Sequence, residues 1–240
     1  RLIVAEADGH RPQTILTTNE PLMSPDWSPD GERLAYVSFE SGRSSQVFVQ
    51  DVASGDRRMV ASFPGINGAP AWSPDGKQLA FYSERERQYH YDLTSAVSEE
   101  RQFPISSARS GDLPSWSPDG RTVLYHSSED GDMDIYLRDH FTKKMRKLTR
   151  NDSTDVYPFF SPDGEQILFL SNRDGNMEIY KMRPDGREQQ RLTYSPHSFE
   201  VDPVWSPDGT KIAFASDRDR NFNIYVMDAD GSNQIKLTTD

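Results

Sequence analysis

The stretch that decides the fold is "PAWSPDGKQLAFYS", residues 70–83, and the chain carries five versions of it. The others begin at Pro25 ("PDWSPDGERLAYVS"), Pro114 ("PSWSPDGRTVLYHS"), Pro158 ("PFFSPDGEQILFLS") and Pro203 ("PVWSPDGTKIAFAS"). Their aromatic falls at Trp27, Trp72, Trp116, Phe160 and Trp205, at intervals of 45, 44, 44 and 45 residues. A period in the forties made of several short strands marks propeller blades. Helical repeats of that length need long 3.6-residue periodicity, and none is visible.

Each unit resolves into four strands. Strand A is the short Pro-x-Trp segment. Ser-Pro-Asp-Gly follows as a type I turn, with Pro at i+1, Asp at i+2 and Gly at i+3. Strand B ("RLAYVS", "QLAFYS", "TVLYHS", "QILFLS", "KIAFAS") is almost continuously apolar, as expected of a strand covered on both faces. Strand C ("QVFVQD", "DIYLRD", "EIYKMR", "NIYVMD") alternates, and a polar strand D ends in "KLT" or "RLT". A polar outer strand protects a sheet edge from further pairing.

The first 20 residues match the C–turn–D half of a unit: "LIVAEADGHRPQTILTT" parallels "IYVMDADGSNQIKLTT". The expectation is therefore one all-β domain over residues 1–240. It is a six-bladed β-propeller of four-stranded antiparallel blades, with one blade incomplete at the N-terminus and five full repeats starting near 25, 70, 114, 158 and 203. The second unit departs after strand B ("SERERQYHYDLTSAVSEERQF"), and an irregular blade is expected there.

Net charge is −11, from 27 Lys and Arg against 38 Asp and Glu, so nucleic acid is disfavoured as a partner. There is no cysteine, which removes disulfides, thiolate metal sites and Cys nucleophiles. No apolar run approaches the ~20 residues of a membrane span, so no membrane insertion is expected. The opening residues lack the charged start and apolar middle of a secretory leader.

The unit Pro-x-Trp-Ser-Pro-Asp-Gly, followed by an apolar strand ending in Ser, then Ile-Tyr-x-Met-Asp-x-Asp-Gly and Leu-Thr, resembles the propeller repeat of the TolB family. The resemblance covers essentially the whole chain and tightens between Pro21 and Phe81 ("PLMSPDWSPDGERLAYVSFESGRS", "VASFPGINGAPAWSPDGKQLAF"). That family belongs to the bacterial Tol–Pal envelope system, and its propeller binds the lipoprotein Pal. The resemblance thus implies a periplasmic, non-enzymatic, monomeric docking domain with a Pal-like partner. Where the family has His before Asn-Gly-Ala-Pro, this chain has Ile66. Related propellers also gate serine peptidases and form metal-dependent lyases. A designed or recombined propeller with no selected ligand is a further alternative.

Function on rigid scaffolds gathers on loops. The loops leading into strand A place Ser24, Asn67, Gly68, Ala69, Asp112, Asp155, Glu200 and Asp202 near the expected channel mouth, and these are the candidate partner-binding residues. By resemblance, Asn67 to Ala69 is the part that meets Pal. The repeated turn acids (Asp30, Asp75, Asp119, Asp163, Asp208) read as turn formers, since a catalytic group is needed once, and the repeated aromatics read as packing between blades. "DADGSN" at 228–233 resembles a calcium loop but has Thr239 where the closing acid belongs, so it reads as a plain turn. The five histidines are spread over four units, His126 and His140 sharing one, without metal-ligand spacing. No Gly-x-Ser-x-Gly nucleophile elbow occurs. No resident cofactor is expected, with a channel-bound ion left open.

Overall fold

The structure is a computed structural model. It describes residues 1–6, 10–42, 44–85, 88–95, 103–108, 114–128 and 130–238, with the backbone alone between 84 and 113. Two compact units divide the chain, Arg1–Pro114 and Ser115–Asp240.

The hairpin is built by its own side chains. In all five copies the Gly N–H donates to the Ser carbonyl at 2.9 Å, closing the turn. The Ser hydroxyl donates to the Asp carboxylate, at 2.5 Å in Ser28–Asp30 and 2.7 Å in Ser73–Asp75. The same carboxylate oxygen accepts the N–H two residues on, from Glu32, Lys77, Arg121, Glu165 and Thr210. Gly takes the left-handed φ that ends the turn, +71° at Gly31 and +67° at Gly76. Each of Ser, Pro, Asp and Gly is therefore occupied in reversing the chain.

These bonds hold the turn carboxylates in the charged form. The Ser28 hydroxyl and Glu32 N–H lower Asp30 to about 2, and Ser206 and Thr210 lower Asp208 to about 2. Asp75, Asp119 and Asp163 are lowered as well. A carboxyl depressed by folding contributes stability above its unfolded pKa, about 4, and loses it as pH falls through the folded value. The urea midpoint is expected to fall between about pH 4 and pH 2, and the slope to flatten in the double variant Asp30→Asn, Asp208→Asn.

The Arg1–Pro114 unit opens with β1 (Leu2–Val4) and β2 (Gln13–Leu16), a two-stranded sheet. Two four-stranded sheets follow: β3 (Leu22–Trp27), β4 (Arg33–Ser38), β5 (Gln46–Asp51), β6 (Arg57–Ala61), then β7 (Asn67–Trp72), β8 (Gln78–Arg85), β9 (Gln88–Ser95), β10 (Phe103–Ala108). The Ser115–Asp240 unit holds three more. The first is β11 (Ser115–Trp116), β12 (Thr122–Ser127), β13 (Asp134–Asp139) and β14 (Met145–Lys147). The second is β15 (Asp155–Phe160), β16 (Ile167–Ser171), β17 (Glu178–Met182) and β18 (Gln190–Arg191). The third is β19 (Glu200–Trp205), β20 (Lys211–Ser216), β21 (Asn223–Asp228) and β22 (Ile235–Lys236). All pairings are antiparallel between sequence neighbours. The five expected full repeats and the N-terminal half-unit are matched by five four-stranded sheets and one two-stranded sheet among the described residues. The expected irregular second blade pairs as four strands, with β8 and β9 extended to 8 residues each and a register shift between Pro104 and Ser106.

Sheets stack face to face within each unit. One face of β15–β18 (Leu168, Leu170, Ile179, Leu192) meets Ile212, Phe214, Tyr225 and Met227 of the next sheet. The face of β12–β14 meets Ile167, Phe169, Tyr180 and Met182 in the same way. This covering of both faces explains the unbroken apolar run of β16, buried at all five positions. In the last sheet Ile224 is 42% exposed, whereas its counterparts Ile135 and Ile179 are 0% exposed. The repeated aromatics follow the packing reading at Trp72 and Trp116, which are buried, but Trp27 is 44% exposed.

The "Leu-Thr" ending also has a physical reason. The hydroxyls of Thr149, Thr193 and Thr238 accept the N–H of Ile135, Ile179 and Ile224, at 2.9, 2.9 and 3.0 Å. The Leu before each Thr donates to the carbonyl of the same Ile. Outer and third strands are thereby tied where regular pairing stops.

Candidate functional site

The candidate residues stand on strand A rather than in the loops before it. Strand A begins at Leu22, Asn67, Asp155 and Glu200, earlier than Pro-x-Trp implies, because it contains a bulge. Register shifts fall between Met23 and Asp26, Gly68 and Ala71, Val156 and Phe159, and Val201 and Val204. At each bulge one residue before Pro is left-handed: Ser24 (φ 48°), Ala69 (49°), Tyr157 (53°) and Asp202 (51°). A bulge lets the strand bend and re-aims its side chains. Ser24, Ala69 and Asp202 thus share one backbone role.

Asn67, Asp155 and Glu200 share another. Each opens its strand five residues before the aromatic, and each is 0% exposed. The Asn67 amide donates to Ser45 O at 2.7 Å and Phe63 O at 2.8 Å, and its oxygen accepts the Ser83 hydroxyl at 3.0 Å. Asp155 accepts from Arg173 at 2.9 Å and from Asn151 at 2.7 Å. Glu200 accepts from Arg218 at 3.0 Å and the Ser216 hydroxyl at 3.1 Å, and burial pushes its carboxyl up. Both arginines lie over aromatic rings, Arg173 at 4.7 Å from Tyr180 and Arg218 at 4.6 Å from Tyr225. Such stacking leaves the guanidinium edge free to bond the carboxylate.

The side chains of Asn67, Asp155 and Glu200 are therefore engaged inside the protein, where they shape the strand ends. Gly68 differs. It is half-buried, its φ lies outside the left-handed region, and a Cβ there would meet only Val37 Cγ2, at 3.9 Å. Beside it, Ile66 is 52% exposed, and Asp202 is exposed in the other unit. Asp112 lies outside the described residues. Ser24, Asn67, Gly68 and Ala69 belong to one unit, and Asp155, Glu200 and Asp202 to the other.

Other polar groups resolve into structure. The Tyr136 and Tyr225 hydroxyls donate to Asp130 and Asp219, at 2.8 and 2.6 Å, and Tyr180 does the same to Asp174. This is the reason for the acid in the B–C turn. The Asp228 turn closes on itself: Asp228 accepts from Asn233 at 2.6 Å and pairs with Lys211, and Asp230 accepts from Ser232 at 2.6 Å. His126 is buried, with its pKa lowered to about 4 by desolvation, and packs on Tyr157.

A model of the TolB beta propeller domain matches residues 1–103 and 92–240. The chain belongs to the TolB beta-propeller family. Over 68 residues it is 63% identical to the Tol-Pal system protein TolB of Xanthomonas campestris pv. campestris strain B100, covering 28% of this chain and 15% of that protein. Among solved structures, TolB from Acinetobacter baumannii superposes with a TM-score of 0.83 at 28% identity, over 99% of this chain and 59% of the other. The chain therefore matches 15% of the length of the first relative and 59% of the second, less than two thirds of either. An oligogalacturonate lyase in complex with manganese superposes at 0.69 with 13% identity, over 88% of this chain and 63% of the lyase, a likeness of fold alone.

Proposed function

We propose that this TolB-family propeller is a non-catalytic docking domain of the Tol–Pal envelope system, working in the periplasm as a single copy and binding a Pal-like lipoprotein. The observation that carries this reading is the 63% identity to a Tol-Pal system protein within a family match that spans the chain. The side chains agree with it. The repeated Ser, Asp, Thr and Tyr hydroxyls and carboxylates are taken up by turns and strand ends, which leaves a rigid scaffold.

Recognition on such a scaffold needs little ordering on binding, so surface fit dominates the affinity. Gly68, at the leading end of β7, is half-buried like Ser24 of the same unit, and it stands beside the exposed Ile66. A Trp at Gly68 adds bulk at that surface without backbone strain. In a pull-down with purified Pal, the chain is expected to retain Pal and Gly68→Trp to lose most of it. Failure of the unsubstituted chain to retain Pal overturns the reading.

A further inference from the structure

The Ser115–Asp240 unit contains two copies of one joint between neighbouring sheets. In each, a C–D turn closes onto the outer strand of the sheet before it. Gly186 (φ +85°) and Gly231 (φ +91°) approach so closely that a Cβ would stand 2.8 Å from the carbonyl oxygens of Leu148 and Leu192. Gln189 and Gln234 bridge the gap, donating to Gly186 O at 3.0 Å and Gly231 O at 3.1 Å and reaching the same Leu carbonyls. Each also accepts from the stacked arginine, Arg173 at 2.6 Å or Arg218 at 2.7 Å. A cation on the outer strand, Lys147 or Arg191, pairs with the buried acid at the start of strand C, Asp134 or Glu178. These residues are the joint, and both copies have them.

The copies differ at several positions, and at three of them an arginine stands in the first joint alone. The first joint carries Arg146, Arg150 and Arg187 where the second carries Gln190, Tyr194 and Ser232. The second joint closes without them, and in the first only Arg146 bonds across the joint, to Pro184 O. The three arginines line an open cavity of about 420 Å³ beside the Gly186 turn and the Leu148 strand. The acids near them are exposed: Arg150 acts on Asp130 through space, and Asp185 stands beside Arg187. Among the described residues Arg150 has no ion pair. Arg146 bonds only a neutral carbonyl, Pro184 O, at 2.6 Å. Arg187 reaches Asp185 only at 4.0 Å, with its side chain 84% exposed. In a chain of net charge −11, three arginines gathered at one cavity beside the single acid Asp185 stand out.

We propose that this cavity binds a small ligand carrying two or more oxyanion groups, carboxylate or phosphate, held by Arg146, Arg150 and Arg187. Guanidinium forks match the paired oxygens of either group. The volume falls at the lower end of the range for small-molecule sites, about 300–1,000 Å³. This site is independent of partner docking.

The test is isothermal titration calorimetry of the chain with citrate, with pyrophosphate and with a hexaglutamate peptide. The triple variant Arg146→Gln, Arg150→Tyr, Arg187→Ser installs the residues that the second joint already uses, so its melting temperature is expected to stay unchanged. Arg150→Tyr alone serves as the milder second variant. Citrate or pyrophosphate is expected to bind at one site, at least tenfold more weakly in the triple variant and measurably more weakly in the single one. Whichever of the two binds identifies carboxylate or phosphate as the source. Absence of binding by both, equal affinity in the variants, or binding by hexaglutamate alone overturns the proposal.

Discussion

Replacing Arg218 with Met is expected to destabilise the protein by about 3–5 kcal/mol, the usual consequence of removing one partner from a buried ion pair. Glu200 is 0% exposed, and its Oε1 accepts from Arg218 and Ser216. Without the guanidinium, a carboxylate already pushed up by burial has no cation to hold its charge. An acid whose pKa is raised by folding contributes stability below its unfolded value and loses it as pH rises through the folded value. The Arg218→Met deficit is therefore expected to be larger at pH 8 than at pH 4, read as urea midpoints. Adding Glu200→Gln should recover at least half of the loss, because the amide brings no buried charge. A deficit independent of pH and unrelieved by Glu200→Gln would show that Arg218 acts through its stacking on Tyr225 alone.

Asn67→Ala is expected to cost about 2–4 kcal/mol, with thermal unfolding as the readout. The buried Ser45 carbonyl loses its amide donor, and each buried polar group left without a partner costs about 1–3 kcal/mol. The 63–67 turn, tied by the same amide at Phe63 O, loses its closing bond as well. Asn67→Asp should be nearly as damaging, because a carboxylate cannot donate to either carbonyl. Gly68→Trp, one residue away, is expected to leave the melting temperature almost unchanged. The contrast separates a residue that builds the strand end from one that is presented by it.

How much of this was legible in the sequence follows from which residues repeat. Ser-Pro-Asp-Gly recurs unchanged in all five units, and its turn forms as the residue preferences dictate. The Leu-Thr endings recur as well, and their bonds to strand C fall in the same place each time. The bulge in strand A left no such trace. Its left-handed residue is Ser, Ala, Tyr or Asp by turn, so no shared chemistry marks it, and Pro after it suggests extended backbone instead. That is why Ser24, Ala69 and Asp202 read as loop residues.

Asp155 and Glu200 read as exposed because isolated carboxylates usually are. A signal for their burial did exist: each is followed 18 residues later by an arginine in the B–C turn, Arg173 or Arg218. Two acids at one repeat position, each with an arginine at one fixed spacing, describe an internal pair. The sheets were legible as well: five full units fold as four-stranded sheets, and the half-unit pattern at residues 1–20 folds as the two-stranded sheet it encodes.

The most direct test compares the two ends of β7. Asp75 holds the hairpin turn, whereas Gly68 stands at the opposite end of the strand, roughly 20 Å away at about 3.3 Å per residue. Pal affinity would be measured by calorimetry for the unsubstituted chain, Asp75→Asn and Gly68→Trp. The predicted result is saturable binding that Asp75→Asn leaves within about twofold and Gly68→Trp weakens at least tenfold. Binding lost on changing Asp75 and kept on changing Gly68 would contradict the division between a structural hairpin and a docking strand end.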